Sequence, residues 1–457
     1  MHNIYVKDLL KICKSELISG NPDMILENFS KDTRTIKEND IYVALSGENV
    51  DGNIYAEDAL KKGASCCILD NLDYIDTQKY KDKTIIKVDN TIECLQELAK
   101  LKRSKYNIPV IAVTGSVGKT STKDIIAEVV KGKYNTLKTE GNLNNHIGLP
   151  LTILRLKDEE ALVVEMGMNH KNEISVLTKI AKPTISVITN IGTAHIGNLG
   201  SRENILKAKL EILEGMEKHS TLIINNDNDL LHKELPKLEK DYNVITIGIN
   251  NNSTYLAKNI KEYSFNSKFQ IENNDIEINV GGLPFIYNSL IAYAIGKCLN
   301  IDTDKIKDAI YNFKLSPHRQ ELIINKIGTT IIDDTYNANI DSMLTAIKIL
   351  GQVKNKRKIA LLADMLELGD YEEKLHRKVG KAVTDNNIDI LITVGPLANK
   401  YIKAEAIKNN MDEHCIYSFN SANDSVDFLN KLLKSNDIIL LKGSNSMHLT
   451  NIVEKIK

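Results

Sequence analysis

The chain has 457 residues, of which 42% are hydrophobic and 26% are charged, and its formal net charge is −1. A chain of this length exceeds what one hydrophobic core supports, so we expect two to four domains. The balanced charge gives no electrostatic reason to expect nucleic acid or an anionic membrane as a partner. No run of about eighteen apolar residues occurs, so we expect no transmembrane helix and no membrane insertion.

The N-terminal segment and the cysteines favour a cytoplasmic protein. Charged residues interrupt the segment 1–19, which predicts a surface helix and no signal peptide. The six cysteines form no C-x-x-C pair, and Cys66 and Cys67 are adjacent. Reduced thiols are therefore expected.

Residues 1–88 are predicted to form a small opening α/β domain. Apolar segments predict strands at 40–46, 64–69 and 84–88, and a helix at 55–62 separates the first two.

From 89 to 314, short apolar segments alternate with amphipathic ones, which predicts a parallel sheet covered on both faces. Strands are expected at 108–114, 161–166, 184–190, 221–225 and 244–248, and helices at 121–130, 172–180 and 203–216. The segment 255–280 alternates polar and apolar residues, as hairpin strands at a sheet edge do. A second α/β series, with strands at 329–333, 358–363, 389–394 and 437–442, occupies 315–457. We therefore predict an α/β protein of three domains, 1–88, 89–314 and 315–457.

The clearest chemical signal is a loop between a strand and a helix. It consists of Thr114, Gly115, Ser116, Val117, Gly118, Lys119 and Thr120. Glycines, an ammonium and a hydroxyl at a helix N-terminus attract phosphate, and the hydroxyl suits Mg²⁺. The usual first glycine of the G-x-x-x-x-G-K-[ST] pattern is Val113 here. We still expect this loop to bind a nucleoside triphosphate.

Other polar residues follow the predicted strands or lie on the next helices. Glu165 ends one strand and His195 follows the next, at the edge where parallel sheets place ligands. Glu165 is a natural Mg²⁺ ligand, although a solvated acid is the alternative, and His195 alone is equally a packed side chain. Lys207 and Lys209 lie on a predicted helix whose simplest interpretation is a solvated basic face.

Together these motifs resemble the Mur ligases, the ATP-dependent amide-bond ligases of peptidoglycan assembly. The shared elements are the phosphate loop without its first glycine, Asn-Asn-x-x-Gly-x-Pro at 144–150, Glu-Met-Gly at 165–167, Ala-His at 194–195 and Lys-Ala-Lys-x-Glu at 207–211. They occur in the family's order over nearly the whole chain. The resemblance implies a UDP-binding domain, a central P-loop ATPase domain and a C-terminal Rossmann-like domain that binds the incoming dipeptide.

Two C-terminal signatures, at 334–342 and 364–369, look like the family member that adds D-alanyl-D-alanine to UDP-N-acetylmuramoyl-tripeptide. The diamino-acid-adding relative would carry Asp-Asn-Pro-Arg, which is absent from the sequence. Pro284 stands where the family often has a histidine before the adenine-side asparagine, which leaves the adenine contacts open.

The resemblance also assigns roles to single residues. The catalytic set is Lys119, Glu165, His195, Lys209 and Arg319. One Mg²⁺ is expected on Thr120 and Glu165, and a second on His195 and a carbamylated Lys209, with Lys207 the weaker candidate for carbamylation. Besides the phosphate loop, ATP is expected to contact Asn288, Arg319, Asp334 and Asn337. The substrates are expected to contact Asp32, Thr33, Arg34, Asn144, Asn145, His146 and Asn339.

Two other functions stay open at this point. A folate-polyglutamate ligase shares the central domain, but the opening domain with Asp32, Thr33 and Arg34 argues against it. A P-loop switch or inactive nucleotide-binding subunit is disfavoured because a pure binder needs no second metal. We expect a cytoplasmic, monomeric enzyme.

Overall fold

The computed structural model describes residues 2–47 and 50–457. The strands of this part of the chain are β1 (Ser15–Ser19), β2 (Phe29–Ser30), β3 (Ile41–Val43), β4 (Cys66–Leu69), β5 (Thr84–Val88), β6 (Val110–Thr114), β7 (Thr136–Lys138), β8 (Ala161–Glu165), β9 (Ile185–Ile188), β10 (Thr221–Asn225), β11 (Asn243–Gly248), β12 (Tyr255–Glu262), β13 (Ser267–Ile271), β14 (Asn274–Ile278), β15 (Glu321–Ile324), β16 (Thr330–Asp334), β17 (Arg357–Ala363), β18 (Ile390–Val394), β19 (Ile416–Phe419) and β20 (Asp437–Lys442).

The α-helices are α1 (Val6–Ile12), α2 (Ala56–Lys61), α3 (Thr91–Ser104), α4 (Lys119–Lys131), α5 (Gly148–Leu154), α6 (Glu173–Ala181), α7 (Ile196–Leu199), α8 (Arg202–Leu210), α9 (Asp229–Leu238), α10 (Leu283–Cys298), α11 (Thr303–Tyr311), α12 (Ile340–Gly351), α13 (Glu372–Asp385), α14 (Lys403–Lys408), α15 (Val426–Leu432) and α16 (Thr450–Ile456). None of the helices in 2–47 and 50–457 is both long and apolar enough to cross a membrane.

The chain divides into two compact units. The first comprises Met1–Thr114, Lys133–Ser186 and Leu210–Thr221, and the second comprises Gly115–Gly132, Val187–Lys209 and Leu222–Lys457. The strands form three sheets, which confirms the predicted mixed α/β class. The boundaries of the three predicted domains stay predictions.

The first sheet lies in the first unit and has the order β1-β5-β4-β3-β2. Strands β2 to β5 pair in parallel, and β1 pairs antiparallel with β5. The expectation of one surface helix over 1–19 was wrong, because α1 ends at Ile12 and Ser15–Ser19 forms β1. This edge strand is mostly half-buried and has only two apolar residues, so it gives no long apolar run to detect.

Strands β6 to β14 form the second sheet. Within the first unit, β8 pairs in parallel with both β6 and β7. Within the second unit, β11 pairs in parallel with β12, and β12, β13 and β14 follow as antiparallel neighbours. This arrangement confirms the predicted hairpin strands over 255–280.

The third sheet lies in the second unit, with the order β15-β16-β20-β17-β18-β19. All its pairs are parallel except β15 with β16. Alternate residues of its buried strands enter separate cores: Ile438 and Leu440 pack on the side of α12 and α13, whereas Ile439 and Leu441 pack on the side of α15 and α16. Such two-sided burial explains the continuous apolar runs that predicted these strands.

Truncating a side chain in the middle of this sheet should destabilise the protein. Leu440 is 0% exposed and lies in β20, so we expect Leu440→Ala to lower the free energy of unfolding by about 2–5 kcal/mol. Ile324→Ala, at a position that is 74% exposed in the edge strand β15, should change it by less than about 0.5 kcal/mol. Urea unfolding followed by circular dichroism measures both, and equal losses would contradict this account of the core.

Candidate active site

The predicted phosphate loop connects the end of β6 to α4. Lys119 is the first residue of α4, and Gly118 before it has a positive φ of 83°. Gly115 also has a positive φ, 153°, and a Cβ there would overlap the hydroxyl of Thr189. Two conformations that favour glycine therefore leave the backbone N–H groups of the loop available at the start of a helix.

The segment after β9 holds this loop in place. The N–H of Val117 donates to Asn190 Oδ1 at 3.0 Å, and Asn190 Nδ2 donates to the Val117 carbonyl at 2.9 Å. The Ser116 N–H donates to the Asn190 carbonyl, and the Gly192 N–H donates to Ser116 Oγ. Asn190 was not among the predicted site residues; its position directly after a buried strand was the available signal.

The charge of Lys119 affects the pKa of Lys209. Lys119 Nζ donates to the Gly115 carbonyl at 2.9 Å, within its own loop. Lys209, on α8, is 1% exposed, and burial together with the charge of Lys119 holds its pKa well below the ordinary value. Across the described ranges, no hydrogen bond or ion pair of Lys209 Nζ is found. Lys207 is exposed. The structure thus separates the two lysines by environment.

His195 belongs to the same group of charges. Burial lowers its pKa, and the charges of Lys119 and Lys209 lower it further, whereas Glu367 opposes them. Its Nδ1 lies 3.0 Å from Glu367 Oε2. Glu367 comes from the segment 364–369 that the sequence singled out, but its contact with His195 was not predicted.

Arg319 contacts the first turn of α4. Its Nη2 donates to Thr120 Oγ1 at 3.0 Å, and its guanidinium lies 3.9 Å from the centroid of the Tyr336 ring. Ser316 adds a second link, because its hydroxyl donates to Asp124 Oδ2 at 2.6 Å. The structure therefore places Arg319 beside Thr120 of the phosphate loop, and its contact with ATP stays a prediction.

Asp334 forms a buried ion pair with Lys442, which was not among the predicted site residues. Lys442 Nζ lies 2.7 Å from Asp334 Oδ2 and donates to the Asn337 carbonyl at 3.0 Å. Lys442 is 2% exposed, whereas Asn337 is exposed. Lys442 therefore holds the Asp334 carboxylate and the Asn337 main chain, two of the groups expected to contact ATP.

Asn288 is joined to α4. Thr122 Oγ1 donates to Asn288 Oδ1 at 2.9 Å, and both residues are buried. Pro284 lies in the first turn of α10, where its missing N–H costs no helical hydrogen bond. The departure at Pro284 is thus compatible with the helix that carries Asn288.

Asn339 caps α12. Its side chain accepts from the Ser342 N–H at 2.9 Å, and Ser342 Oγ accepts from the Asn339 N–H at 3.1 Å. This capping box occupies the side chain that was predicted to contact substrate.

In the first unit, Glu165 ends β8 and is 2% exposed. Asn144 Nδ2 donates to Glu165 Oε1 at 2.8 Å, and the backbone N–H of Glu165 donates to Thr139 Oγ1 at 3.1 Å. Its Oε2 is buried and has no hydrogen-bond partner among the described residues. A buried carboxylate oxygen without a donor is a suitable cation ligand.

Three other predicted residues of this unit have local structural partners. Thr114 Oγ1 donates to the Met166 carbonyl, and Asn145 Oδ1 accepts from the N–H groups of Ile147 and Gly148. His146 is exposed, and its carbonyl accepts from a glutamine side chain. Their contacts with a ligand stay predictions.

Asp32 and Arg34 pair with each other near the end of β2. The side chain of Arg34 lowers the pKa of Asp32 to about 2, and the Arg34 N–H donates to the same carboxylate. Arg34 is largely exposed and Thr33 is half-buried. These residues form a compact turn that displays a guanidinium.

Comparison with known proteins identifies the family. Three family models match: the Mur ligase family catalytic domain at residues 27–103, the Mur ligase middle domain at 113–296, and the Mur ligase glutamate ligase domain at 318–445. A Bacillus subtilis protein named UDP-N-acetylmuramoyl-tripeptide--D-alanyl-D-alanine ligase is 33% identical and covers 99% of this chain and 98% of its own length.

Solved structures agree with this assignment. The crystal structure of MurF from Acinetobacter baumannii is 25% identical, has a TM-score of 0.88, and covers 99% of this chain and 98% of that one. MurF ligase from Thermotoga maritima, in complex with ADP, is 27% identical with a TM-score of 0.80, over 94% of this chain and 97% of that one. From the matching domain models and the full-length relative, this chain belongs to the Mur ligase family.

Proposed function

We propose that this protein is an ATP-dependent ligase that joins D-alanyl-D-alanine to UDP-N-acetylmuramoyl-tripeptide, giving UDP-N-acetylmuramoyl-pentapeptide, ADP and phosphate. The observation that carries the proposal is the match over 99% of the chain to a relative of that name. The reaction belongs to peptidoglycan precursor synthesis, and we place it in the cytoplasm. The charges around the phosphate loop suit ATP.

The chemistry requires two anions to meet. The terminal carboxylate of the tripeptide attacks the terminal phosphorus of ATP, and ADP leaves. The amine of D-alanyl-D-alanine then attacks the acyl phosphate, and phosphate leaves as the amide forms. Two unit charges about 4 Å apart repel by about 4 kcal/mol at an effective dielectric constant of about 20. Lys119 and Arg319, which flank the start of α4, supply positive charge where these oxygens would lie.

We propose that Thr120 and Glu165 would serve one Mg²⁺ and that His195 and modified Lys209 would serve a second, as the resemblance implies. Each of these side chains, taken separately, suits the role. Glu165 offers a buried oxygen without a donor, and Thr120 offers a hydroxyl at the first turn of α4. Bound Mg²⁺ would neutralise phosphate charge.

Carbamylation of Lys209 fits its surroundings. The neutral amine that burial and Lys119 favour is the form that attacks CO₂; a nitrogen–carbon bond forms and the proton leaves. The product is an anion in place of a cation that has no counter-ion. Lys207 is exposed, so it stays the weaker candidate for carbamylation.

For the substrates, we propose that Asp32, Thr33 and Arg34 contact the UDP end. Arg34 is the exposed member and carries the charge that a diphosphate requires. Asn144, Asn145 and His146 would contact the tripeptide. Asn337 and Asn339 would lie near the dipeptide. The side chains of Asn145 and Asn339 already accept hydrogen bonds from backbone N–H groups at helix starts, so their backbone groups would make the contact.

ADP formation should depend on both substrates, because the proposed intermediate needs the tripeptide carboxylate. With ATP and Mg²⁺ alone we expect turnover at least about 100-fold slower than in the complete mixture. Coupled ADP detection gives the rates, and mass spectrometry identifies the product. Rapid hydrolysis without tripeptide would favour a nucleotide switch, and glutamate addition to folate would favour the folate ligase.

Lys209→Gln should lower kcat by about 100-fold or more, the range for loss of one preorganised charge-stabilising group. The matched control Lys207→Gln, two residues away on the exposed face of α8, should retain near-normal kcat. Intact-protein mass spectrometry in bicarbonate should show a gain of one CO₂ in the wild type and the control. Normal turnover by Lys209→Gln would refute this assignment.

Gly115→Ala should weaken ATP binding, because the new methyl overlaps Thr189 and φ is unfavourable for alanine. We expect the dissociation constant of ATP to rise at least about tenfold. Gly132→Ala, at the end of α4 with a helical φ of −60°, is the control and should leave it unchanged. Calorimetric titration compares them, and equal affinities in both variants would argue against this loop as the phosphate site.

A further inference from the structure

The backbone on both sides of Arg319 is unusual. His318 has a φ of 63° and Gln320 has a φ of 51°. Residues with a β-carbon seldom adopt this left-handed conformation, and they keep it only where surrounding contacts impose it. Something must therefore hold this three-residue segment, and with it the guanidinium of Arg319.

The main anchor is Asp333, a residue of β16 that has no predicted role. Asp333 is 0% exposed. Its Oδ2 lies 2.7 Å from His318 Nδ1, and because a carboxylate can only accept, this nitrogen carries the proton. Its Oδ1 accepts from the N–H of Thr335 at 3.2 Å and from Thr335 Oγ1 at 2.6 Å. The carboxylate is thus fixed by the strand end and in turn fixes the His318 ring.

Backbone contacts complete the anchor. The His318 N–H donates to Glu321 Oε2 at 3.1 Å, and the His318 carbonyl accepts from the Tyr336 N–H at 3.1 Å. Tyr336 also lies under the guanidinium of Arg319, 3.9 Å from its ring centroid. Contacts from the end of β16 therefore reach Arg319 from two directions, through His318 and through Tyr336.

We propose that Asp333 is a positioning residue: acting through His318, it holds the left-handed segment that directs Arg319 to Thr120 of the phosphate loop. The inference rests on the proposed function, in which Arg319 supplies charge to the reacting phosphate. Asp333 itself touches no reacting atom.

A cation site is the competing interpretation of the same residues. Ligand atoms of His318, Glu321 and Asp333 lie within 4.8 Å of one another. Both oxygens of Asp333 already accept hydrogen bonds, and the facing atom of His318 is a donor. A bound cation would require these bonds to break, so the geometry favours positioning.

The first test removes the acceptor. Asp333→Ala should lower kcat at least about tenfold, with a smaller change in KM for ATP, because Arg319 is proposed to act mainly during phosphoryl transfer. The matched control is Asp437→Ala, which removes a 2% exposed acid that pairs with Arg357 at the opposite end of the same sheet. The control should lose thermal stability but keep kcat within about twofold.

A double-mutant cycle separates positioning from general damage. In an Arg319→Ala background, Asp333→Ala should change kcat by less than about twofold, because the group it positions is already absent. Equal losses in both backgrounds would overturn the inference, as would wild-type kcat in folded Asp333→Ala.

Half-buried His318 provides the test should Asp333→Ala not fold. Asparagine tolerates left-handed backbone and has an N–H donor near the place of Nδ1, whereas leucine has neither property. His318→Asn should keep kcat within about threefold of the wild type, and His318→Leu should lose at least about tenfold. Equal kcat values for these two variants would contradict the inference.

Different experimental results would refute the proposed function and this inference. Absence of ligation by the wild type would refute the function. The inference would then be decided by crystal structures, in which Arg319 must contact Thr120 in the wild type and lose that contact in Asp333→Ala.

Discussion

The burial of Lys209, together with the nearby charge of Lys119, constrains the chemistry of this site. Lys209 is buried, and both its burial and the charge of Lys119 oppose its protonation. Lys119 begins α4, where the helix start and the glycines leave backbone N–H groups available to an anion. Both the burial of Lys209 and the charge of Lys119 favour its neutral amine. In the proposed function it becomes an anion, and the same group then supports a cation beside the nucleotide.

Sheet geometry explains how residues distant in sequence come to these positions. Asn190 follows β9, Asp334 ends β16, and Lys442 ends β20. In parallel sheets the carboxyl ends of the strands share one edge, where loops are free to vary while the strands stay fixed. Asn190 and Lys442 belong to different sheets, and each lies at this edge of its own sheet, where it holds neighbouring residues in place.

The sequence predicted most of the architecture because most strands are buried on two sides. Continuous apolar runs identified β6, β8, β17 and β20, and alternation identified the hairpin strands β12 to β14. Five strands escaped prediction: β1, β2, β7, β15 and β19. All five are short edge strands with partly exposed residues, which leave a weak pattern.

The site residues were predicted from motifs and not from burial. Motif order pointed to Lys119, His195 and Lys209, and the structure brings their charges together. The contacts of Glu367 and Asp333 could not be predicted, because their roles depend on partners that only the fold supplies. Asn339 shows another limit of motif reading, because an asparagine before a helix is as typical of a cap as of a ligand contact.

The left-handed backbone on both sides of Arg319 also limits which substitutions this sequence tolerates during evolution. At 318 and 320, asparagine, aspartate, histidine and glycine suit the backbone, whereas valine, isoleucine and threonine do not. A bulky branched replacement there would be rejected although it contacts no ligand. Variation in homologous chains should therefore be narrow at these two places, for reasons of main-chain shape and not of chemistry.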